Sequence, residues 1–456
     1  MTRSVVRALA VGVPAVGVTL AAVLWWQPWH PGSPAPAGDP DFPVVDMPPI
    51  PVRPDSEEPY RPYKYQLTTD QTIRVFEDRV RGDPNHLNLT HLGGLYVRKA
   101  KETGDHTAYD KADDAFRRAL KALPNHAPAR VGLAIAACGR HRFAEGLQLA
   151  EGVYKEDPGA IDALATVADA HLELGNYAEA EAAARELERN AGSPPAAPAL
   201  ARLARLAELR GDPDRAVALL RQADSAQRAA HDLRQSQAWY AMRLGEVLLS
   251  QGKLDDAAGQ FDAALKDHPN YPAALSLLGR VRAAQGRFAE AIALCEKAAR
   301  ITPDLATLVF LGDLRARTGE AFLAKVFFDE VEKADKEPLV GSRDLVLYYC
   351  DHDRKLSRAL ELAEAEARTR KDVYTCDALA WARFKSGKLP EAGRAAADAL
   401  RLGTKDALLL YHAGVIAHAA GKRDEARDLL RRALAVNPHF SEAHAREAAR
   451  LLAEAR

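Results

Sequence analysis

One pattern of apolar and small residues recurs through most of this chain, and its clearest copy lies at residues 272–303. Apolar or small side chains recur there at steps of three and four residues on both sides of Gly286. Such spacing is typical of two amphipathic helices joined by a tight turn. Gly279 and Ala291 are small enough to let the two helices approach closely, and Phe288 fills the turn. Pro303 predicts the end of the second helix, because proline cannot continue one.

The pattern can be aligned ten times, and each copy begins 33 to 41 residues after the previous one. The expected starts lie near His86, Ala127, Ile161, Ala197, Ala238, Pro272, Leu305, Val340, Val373 and Ala407. Two spacings are longer than the rest, because of an insertion around residues 102–109 and a longer helix through residues 222–235. The copy near Val340 is the weakest, since Arg354 stands in place of the turn glycine.

These copies resemble the tetratricopeptide repeat (TPR), whose period is 34 residues. The resemblance implies an all-α fold, an α-solenoid in which helix-turn-helix units form a right-handed superhelix over residues 86–440. Each unit alone buries too little apolar surface, so neighbouring units must stack on one another. Short amphipathic helices at residues 63–85 and 441–456 are expected to cap the two ends of the array.

The first residues predict a membrane segment, a signal anchor or transmembrane helix over residues 1–27. Arg3 and Arg7 precede an uncharged run of 19 residues at 8–26, and that run would be about 28 Å long as a helix, close to the thickness of a bilayer core. The basic end is then expected in the cytoplasm and the repeats outside it, in the periplasm. A cleaved signal peptide is the alternative, because residues 35–37 have the small-x-small form. Cleavage would leave the protein secreted or periplasmic.

A proline-rich segment follows at residues 28–62. It contains 12 prolines and almost no helical periodicity, which predicts an extended, semi-rigid linker between the membrane and the repeats. Such a tract also satisfies the spacing of proline-rich docking motifs, and this is a less favoured reading.

Charge and motifs exclude several classes of function. Lys and Arg number 62 against 63 for Asp and Glu, so we expect no binding to nucleic acid. The sequence contains no nucleotide-binding glycine loop, metalloprotease motif or nucleophile elbow, which predicts no catalytic residue and no enzyme activity. The consecutive residues 350–353 are all metal-ligand types, but they lie within one turn, and we predict neither a metal site nor a cofactor. The four cysteines occur singly and are expected to pack as small apolar groups.

The TPR resemblance also implies a concave groove lined by the first helix of each unit. Transferred place by place, the expected partner-binding residues are Trp239, Arg280, Tyr374, Asp377, Trp381, Phe384, Tyr411 and His418. Aromatic residues concentrate in the last two units, and large rings give much contact area for little loss of entropy. Packing between neighbouring helices is an equally good explanation of Trp381 and Tyr411.

These features together predict a membrane-tethered, extracytoplasmic scaffold that binds a protein or peptide in its groove. An obligate subunit of an envelope assembly, secretion or maturation complex is the alternative. An enzyme with a site built across the groove is a third and less favoured interpretation.

Overall fold

The computed structural model describes residues 68–190, 196–229, 234–336 and 343–454. Within these ranges the chain forms 22 α-helices and one short 3-10 helix, and no strand. The expected all-α solenoid is confirmed for this part of the chain. The membrane segment and the proline-rich linker expected at residues 1–62 lie outside the described residues.

The helices follow one another with short connections. In chain order they are α1 (Thr69–Gly82), α2 (His86–Thr103), α3 (Thr107–Ala122), α4 (Ala127–Gly139), α5 (Phe143–Glu156), α6 (Ile161–Leu174), α7 (Tyr177–Asn190), α8 (Ala197–Leu209), α9 (Pro213–Ala229), α10 (Arg234–Ser250), α11 (Leu254–Asp267), α12 (Pro272–Ala284), α13 (Phe288–Ile301), α14 (Leu305–Arg317), α15 (Ala321–Lys333), α16 (Arg343–Asp351), α17 (Leu356–Thr369), α18 (Val373–Lys385), α19 (Leu389–Leu400), α20 (Ala407–Ala419), α21 (Arg423–Val436) and α22 (Glu442–Glu454). A helix begins at eight of the ten residues that the sequence pattern marks as starts.

Two units depart from the pattern. In the fifth, α10 begins at Arg234, ahead of the expected Ala238. In the eighth, Val340 lies outside the described residues, and α16 has only 9 residues. Its turn contains Asp353 and Lys355 at φ 51° and 40°, where most other units place a glycine. Left-handed backbone is unfavourable for a residue with a side chain, so this unit has a strained turn.

Glycines inside the first helices let the two helices of one unit approach closely. A Cβ added to Gly279 would lie 3.1 Å from the carbonyl oxygen of Ala291 and would overlap the Sγ atom of Cys295. In the seventh unit, a Cβ on Gly312 would overlap the ring of Phe328. The side chain of the second helix therefore occupies the space that the glycine leaves, as the sequence pattern predicts for Gly279.

The first helices lie on the concave side of the array. Apart from the closing helix α22, helices two apart along the chain contact each other extensively only when both are first helices, as in α16 with α18 and α18 with α20. Neighbouring second helices are farther apart because they lie on the outer, longer arc. At the amino-terminal end, α1 covers α2 with Ile73 and Val80, and Thr68 and Gln71 form a capping box at its start.

The superhelix completes about one turn in six units. As a result, the loop between the two helices of one unit contacts the residues that precede the sixth unit after it. Four such contacts join Thr103 to Thr302, Leu174 to Lys371, Leu209 to Thr404 and Leu249 to Asn437. We call these contacts the inter-turn seam. Successive superhelical turns therefore touch directly, with hydrogen bonds between residues almost 200 positions apart.

None of the helices in the described residues combines the length and the apolar character that crossing a bilayer requires.

Candidate functional site

The middle of the concave surface is filled by the chain's own charged side chains. Arg202 on α8 pairs with Asp169 on α6, and both side chains are buried. Glu208 accepts hydrogen bonds from Arg205 at 2.9 Å and from Arg243 at 3.2 Å. Burial raises the pKa of Glu208, but the two guanidinium groups outweigh it and lower that pKa. The Arg202–Asp169 and Arg243–Glu208 pairs join neighbouring first helices and so link stacked units, whereas Arg205 and Glu208 lie on the same helix.

The inter-turn seam covers a further part of this surface. Arg370 lies 3.2 Å from Glu173, and both side chains are almost fully buried between superhelical turns. Tyr374 lies between two guanidinium groups, with Arg205 5.0 Å and Arg343 4.9 Å from its ring centroid. Such cation–π contacts hold the tyrosine in an intramolecular site.

Aromatic, histidine and carboxylate side chains converge at the carboxyl-terminal end of the concave surface. This C-terminal cluster consists of Asp351, Asp377, Trp381, Tyr411, His412 and His444. They come from α16, α18, α20 and α22, four helices that are not consecutive in sequence. The cluster therefore forms only when the last three units and the closing helix stack.

Ring stacking and hydrogen bonds fix the side chains of the cluster. Trp381 stacks on His412 with ring centroids 4.2 Å apart and donates from Nε1 to Asp351 at 2.8 Å. His412 lies with Nδ1 3.0 Å from both carboxylate oxygens of Asp377. Burial lowers the pKa of His412, but the adjacent Asp377 carboxylate outweighs it and raises that pKa. The side chains of His412 and Asp377 are almost fully buried, and in such surroundings the interaction between an imidazole and a carboxylate is strong.

The eight residues expected in the groove fall into three places. Trp239 is half-buried against Tyr240, and Arg280 lies over Phe310 and donates to the carbonyl of Ala306. Tyr374 lies at the seam, as described above. The remaining five are at the carboxyl-terminal end: Asp377, Trp381 and Tyr411 are buried, while Phe384 and His418 are half-buried. That these residues bind a partner stays a prediction.

Burial decides which of the expected residues can contact a partner directly. Trp381 and Tyr411 are each only 4% exposed and pack on neighbouring rings. The surroundings of both residues therefore agree with packing between helices, the second explanation that the sequence allowed for them. Phe384 stacks on Trp381 at 5.2 Å and keeps part of its ring accessible.

Sequence reasoning did not single out His412 and His444, and it considered Asp351 only as part of the run at residues 350–353. The four ligand-type residues at 350–353 do not converge. Cys350 is fully buried, whereas His352 lies 3.2 Å from Asp313, and Asp353 pairs with Lys385. Asp377, His412 and His444 occupy similar places in α18, α20 and the closing helix α22. This signal appears only when these helices are aligned with one another, and a search within one repeat does not detect it.

The fold defines an α-solenoid of helical hairpin units, whose class commonly offers concave surfaces to partners. The tetratricopeptide repeat profile matches residues 98–161, 167–232, 242–306 and 378–439, which make up more than half of the sequence. The chain belongs to the tetratricopeptide repeat family, as its sequence pattern indicates.

Two solved structures resemble this chain over most of their length. The crystal structure of yeast Tom70 has a TM-score of 0.38 and 13% sequence identity, over 85% of this chain and 92% of that one. The APC/C hetero-tetramer Cut9-Hcn1 has a TM-score of 0.33 and 16% identity, over 85% of this chain and 93% of that one. Among curated proteins, no significantly similar sequence was found.

Proposed function

We propose that this protein is a membrane-tethered, extracytoplasmic TPR scaffold that binds a protein segment at the carboxyl-terminal end of its concave surface. The observation that carries the proposal is the accessible row formed by Phe384 on α18 and by Val415 and His418 on α20. These half-buried side chains lie on first helices of the last two units. The middle of the same surface is filled by paired charges, so it offers a partner fewer free groups.

The loops between the two helices of the last units are also not covered by another superhelical turn of the described chain, unlike those of the first units. A Cβ added at the turn glycines Gly387 or Gly421 meets no atom within 4 Å, whereas Gly175 and Gly211 are covered by the next superhelical turn. Within the described residues, the turns of the ninth and tenth units are therefore not covered by another superhelical turn. A partner that docks there would reach both the turns and the adjacent concave row.

The membrane tether rests on the sequence. Arg3 and Arg7 before the uncharged run at residues 8–26 support an anchor with a cytoplasmic amino terminus. The proline-rich residues 28–62 support a spacer that holds the array away from the bilayer.

Site-specific photocrosslinking in cells tests the binding site. A photoreactive residue at position 384 or 418 is expected to crosslink a protein partner. The same group at Phe322, which is 76% exposed on the second helix α15, serves as the matched control. Equal crosslinking at positions 384 and 322 would discard the concave row as the site. A partner recovered in stoichiometric amount from the membrane would identify the protein as an obligate subunit of a complex.

Cysteine labelling tests the topology. All four native cysteines are buried, so they give little background. In Phe322→Cys, a membrane-impermeant maleimide should label intact cells if the array is extracytoplasmic. Labelling that appears only after lysis would place the array in the cytoplasm and would refute the tether as proposed.

A further inference from the structure

We infer that Asp351, His412 and His444 bind one divalent transition-metal ion of the zinc type at the C-terminal cluster. Their possible ligand atoms all lie within 4.8 Å of one another. The inference concerns an inorganic ligand and does not depend on the proposed protein partner.

His412 has the arrangement of a preformed metal ligand. Its side chain is fully buried, and its Nδ1 atom lies 3.0 Å from both oxygens of Asp377. A carboxylate at that distance accepts a hydrogen bond from Nδ1–H, and the neutral imidazole with its hydrogen on Nδ1 has a lone pair on Nε2. The Nε2 atom is buried and makes no hydrogen bond. Metal-bound histidines are typically oriented in this way, with the second ring nitrogen donating to a carboxylate. A buried nitrogen without a partner is otherwise unfavourable.

His444 brings a second imidazole from the closing helix. Its ring stacks on Tyr411 with centroids 4.7 Å apart, and the side chain is 16% exposed. The Nε2 atom lies 3.5 Å from Oδ1 of Asp351, and the buried Nδ1 atom has no hydrogen-bond partner. Both histidines therefore carry a buried nitrogen that lacks a partner, and these side chains belong to the same cluster.

Asp351 supplies the carboxylate. Trp381 donates to Oδ1 at 2.8 Å and fixes the position of this group. The side chain is 29% exposed, so water and ions can reach it. Ligand atoms around a tetrahedral zinc ion lie roughly 3.3 Å apart, as follows from bond lengths of about 2.0–2.2 Å. Closing from at most 4.8 Å to that spacing requires a movement of about 1.5 Å or less, within the reach of side-chain rotation.

The donor set decides the class of ion. Two imidazole nitrogens and one carboxylate oxygen suit zinc and neighbouring transition metals, whereas calcium and magnesium prefer oxygen ligands alone. Three protein ligands leave a fourth position for water or for a group of a partner. A bound ion would join α16, α20 and α22 and would hold the closing helix against the last unit.

Metal titration of the full-length protein tests the inference. Detergent-purified protein is stripped with a chelator and titrated with Co²⁺, whose d–d absorption reports tetrahedral nitrogen and oxygen ligands, and then with Zn²⁺ in competition with a chromophoric chelator. We expect one ion per chain and a Zn²⁺-dependent rise in the midpoint of thermal unfolding. Asp377→Asn, which removes only the orienting carboxylate, should weaken binding by about 10–100-fold. His444→Ala and Asp351→Asn remove ligands and should weaken it more.

His439→Ala is the matched control, since this exposed histidine lies five residues before His444 and outside the cluster. Its affinity should equal that of the wild type. The inference is overturned if wild-type protein binds no stoichiometric Co²⁺ or Zn²⁺, in which case the cluster holds only a proton. It is also overturned if His444→Ala, with unchanged helix content, binds as tightly as the wild type.

Discussion

Replacement of Gly175 by alanine should loosen the inter-turn seam. Gly175 has φ 84°, and a Cβ there would lie 2.7 Å from the carbonyl carbon and oxygen of Lys371. Ordinary contacts begin near 3.4 Å, so the opposing backbone must retreat by about 0.7 Å. The change thus acts on the chain 196 positions away as well as on its own turn.

The magnitude follows from the contacts that this retreat disturbs. Lys371 donates its backbone N–H to Leu174 at 3.1 Å, and Val373 donates to the hydroxyl of Tyr177 at 2.9 Å. Each such hydrogen bond contributes about 1 kcal/mol. Loss of both should cost about 2 kcal/mol beyond the backbone penalty of about 1–2 kcal/mol for alanine in left-handed conformation.

Gly286→Ala separates these two costs. Gly286 has φ 76°, and a Cβ there would meet no atom within 4 Å, so this variant carries the backbone penalty alone. Hydrogen exchange then measures the protection of the amides of Lys371 and Val373. We expect about 30-fold less protection in Gly175→Ala than in Gly286→Ala, the equivalent of about 2 kcal/mol. Equal protection in the two variants would refute the claim that the superhelical turns support one another.

Three further predictions concern stability. Burial raises the pKa of Asp344 to about 7, whereas the unfolded carboxyl loses its proton near pH 4. Ionisation of this buried group therefore destabilises the folded state increasingly as the pH rises towards 7. Asp344→Asn should stabilise the protein more at pH 8 than at pH 5, as measured by urea denaturation at both values. Gly312→Ala should destabilise the fold by about 1–3 kcal/mol, because the new Cβ would overlap the ring of Phe328. At Gly393, a helical site, a Cβ would meet no atom within 4 Å, so Gly393→Ala should stabilise the fold by about 0.5–1 kcal/mol. Thermal unfolding measures both effects. Arg202→Met should cost about 3–5 kcal/mol in chemical denaturation because it leaves the carboxylate of Asp169 buried without its partner.

Each of these has an outcome that would contradict it. An Asp344→Asn effect that is the same at both pH values would place the carboxyl in water. If Gly393→Ala destabilised the protein as much as Gly312→Ala, space beside the helix would not be the deciding factor. For the ion pair, the double variant Asp169→Leu with Arg202→Met should recover most of the stability, and the idea fails if the double variant is no better than Arg202→Met alone.

The local units could be predicted from the sequence. The period, the small residues and the turn glycines are local signals, so they predicted hairpins such as the one around Gly286, and helices begin where the pattern places them at Pro272 and Leu305. The close approach at Gly279 followed from the same signals because both partners, Ala291 and Cys295, lie within one unit.

The long-range features could not be predicted in the same way. The pitch of a superhelix is the sum of small rotations between units, and no short sequence motif records that sum. Contacts such as Glu173 with Arg370 depend on it. For the same reason, Tyr374 was expected in an open groove but lies between guanidinium groups from two other units. His412 and His444 were missed because their partners lie on neighbouring helices.

The inter-turn seam also determines how the array would respond to a pulling force. A solenoid whose units touch only their sequence neighbours extends like a coiled spring, because a small rotation at each interface adds to the total length. Here successive superhelical turns are joined by hydrogen bonds such as the one from Thr404 to Leu209. Stretching must first break these hydrogen bonds. The array should therefore be stiff at low force and extend easily only after the superhelical turns have separated.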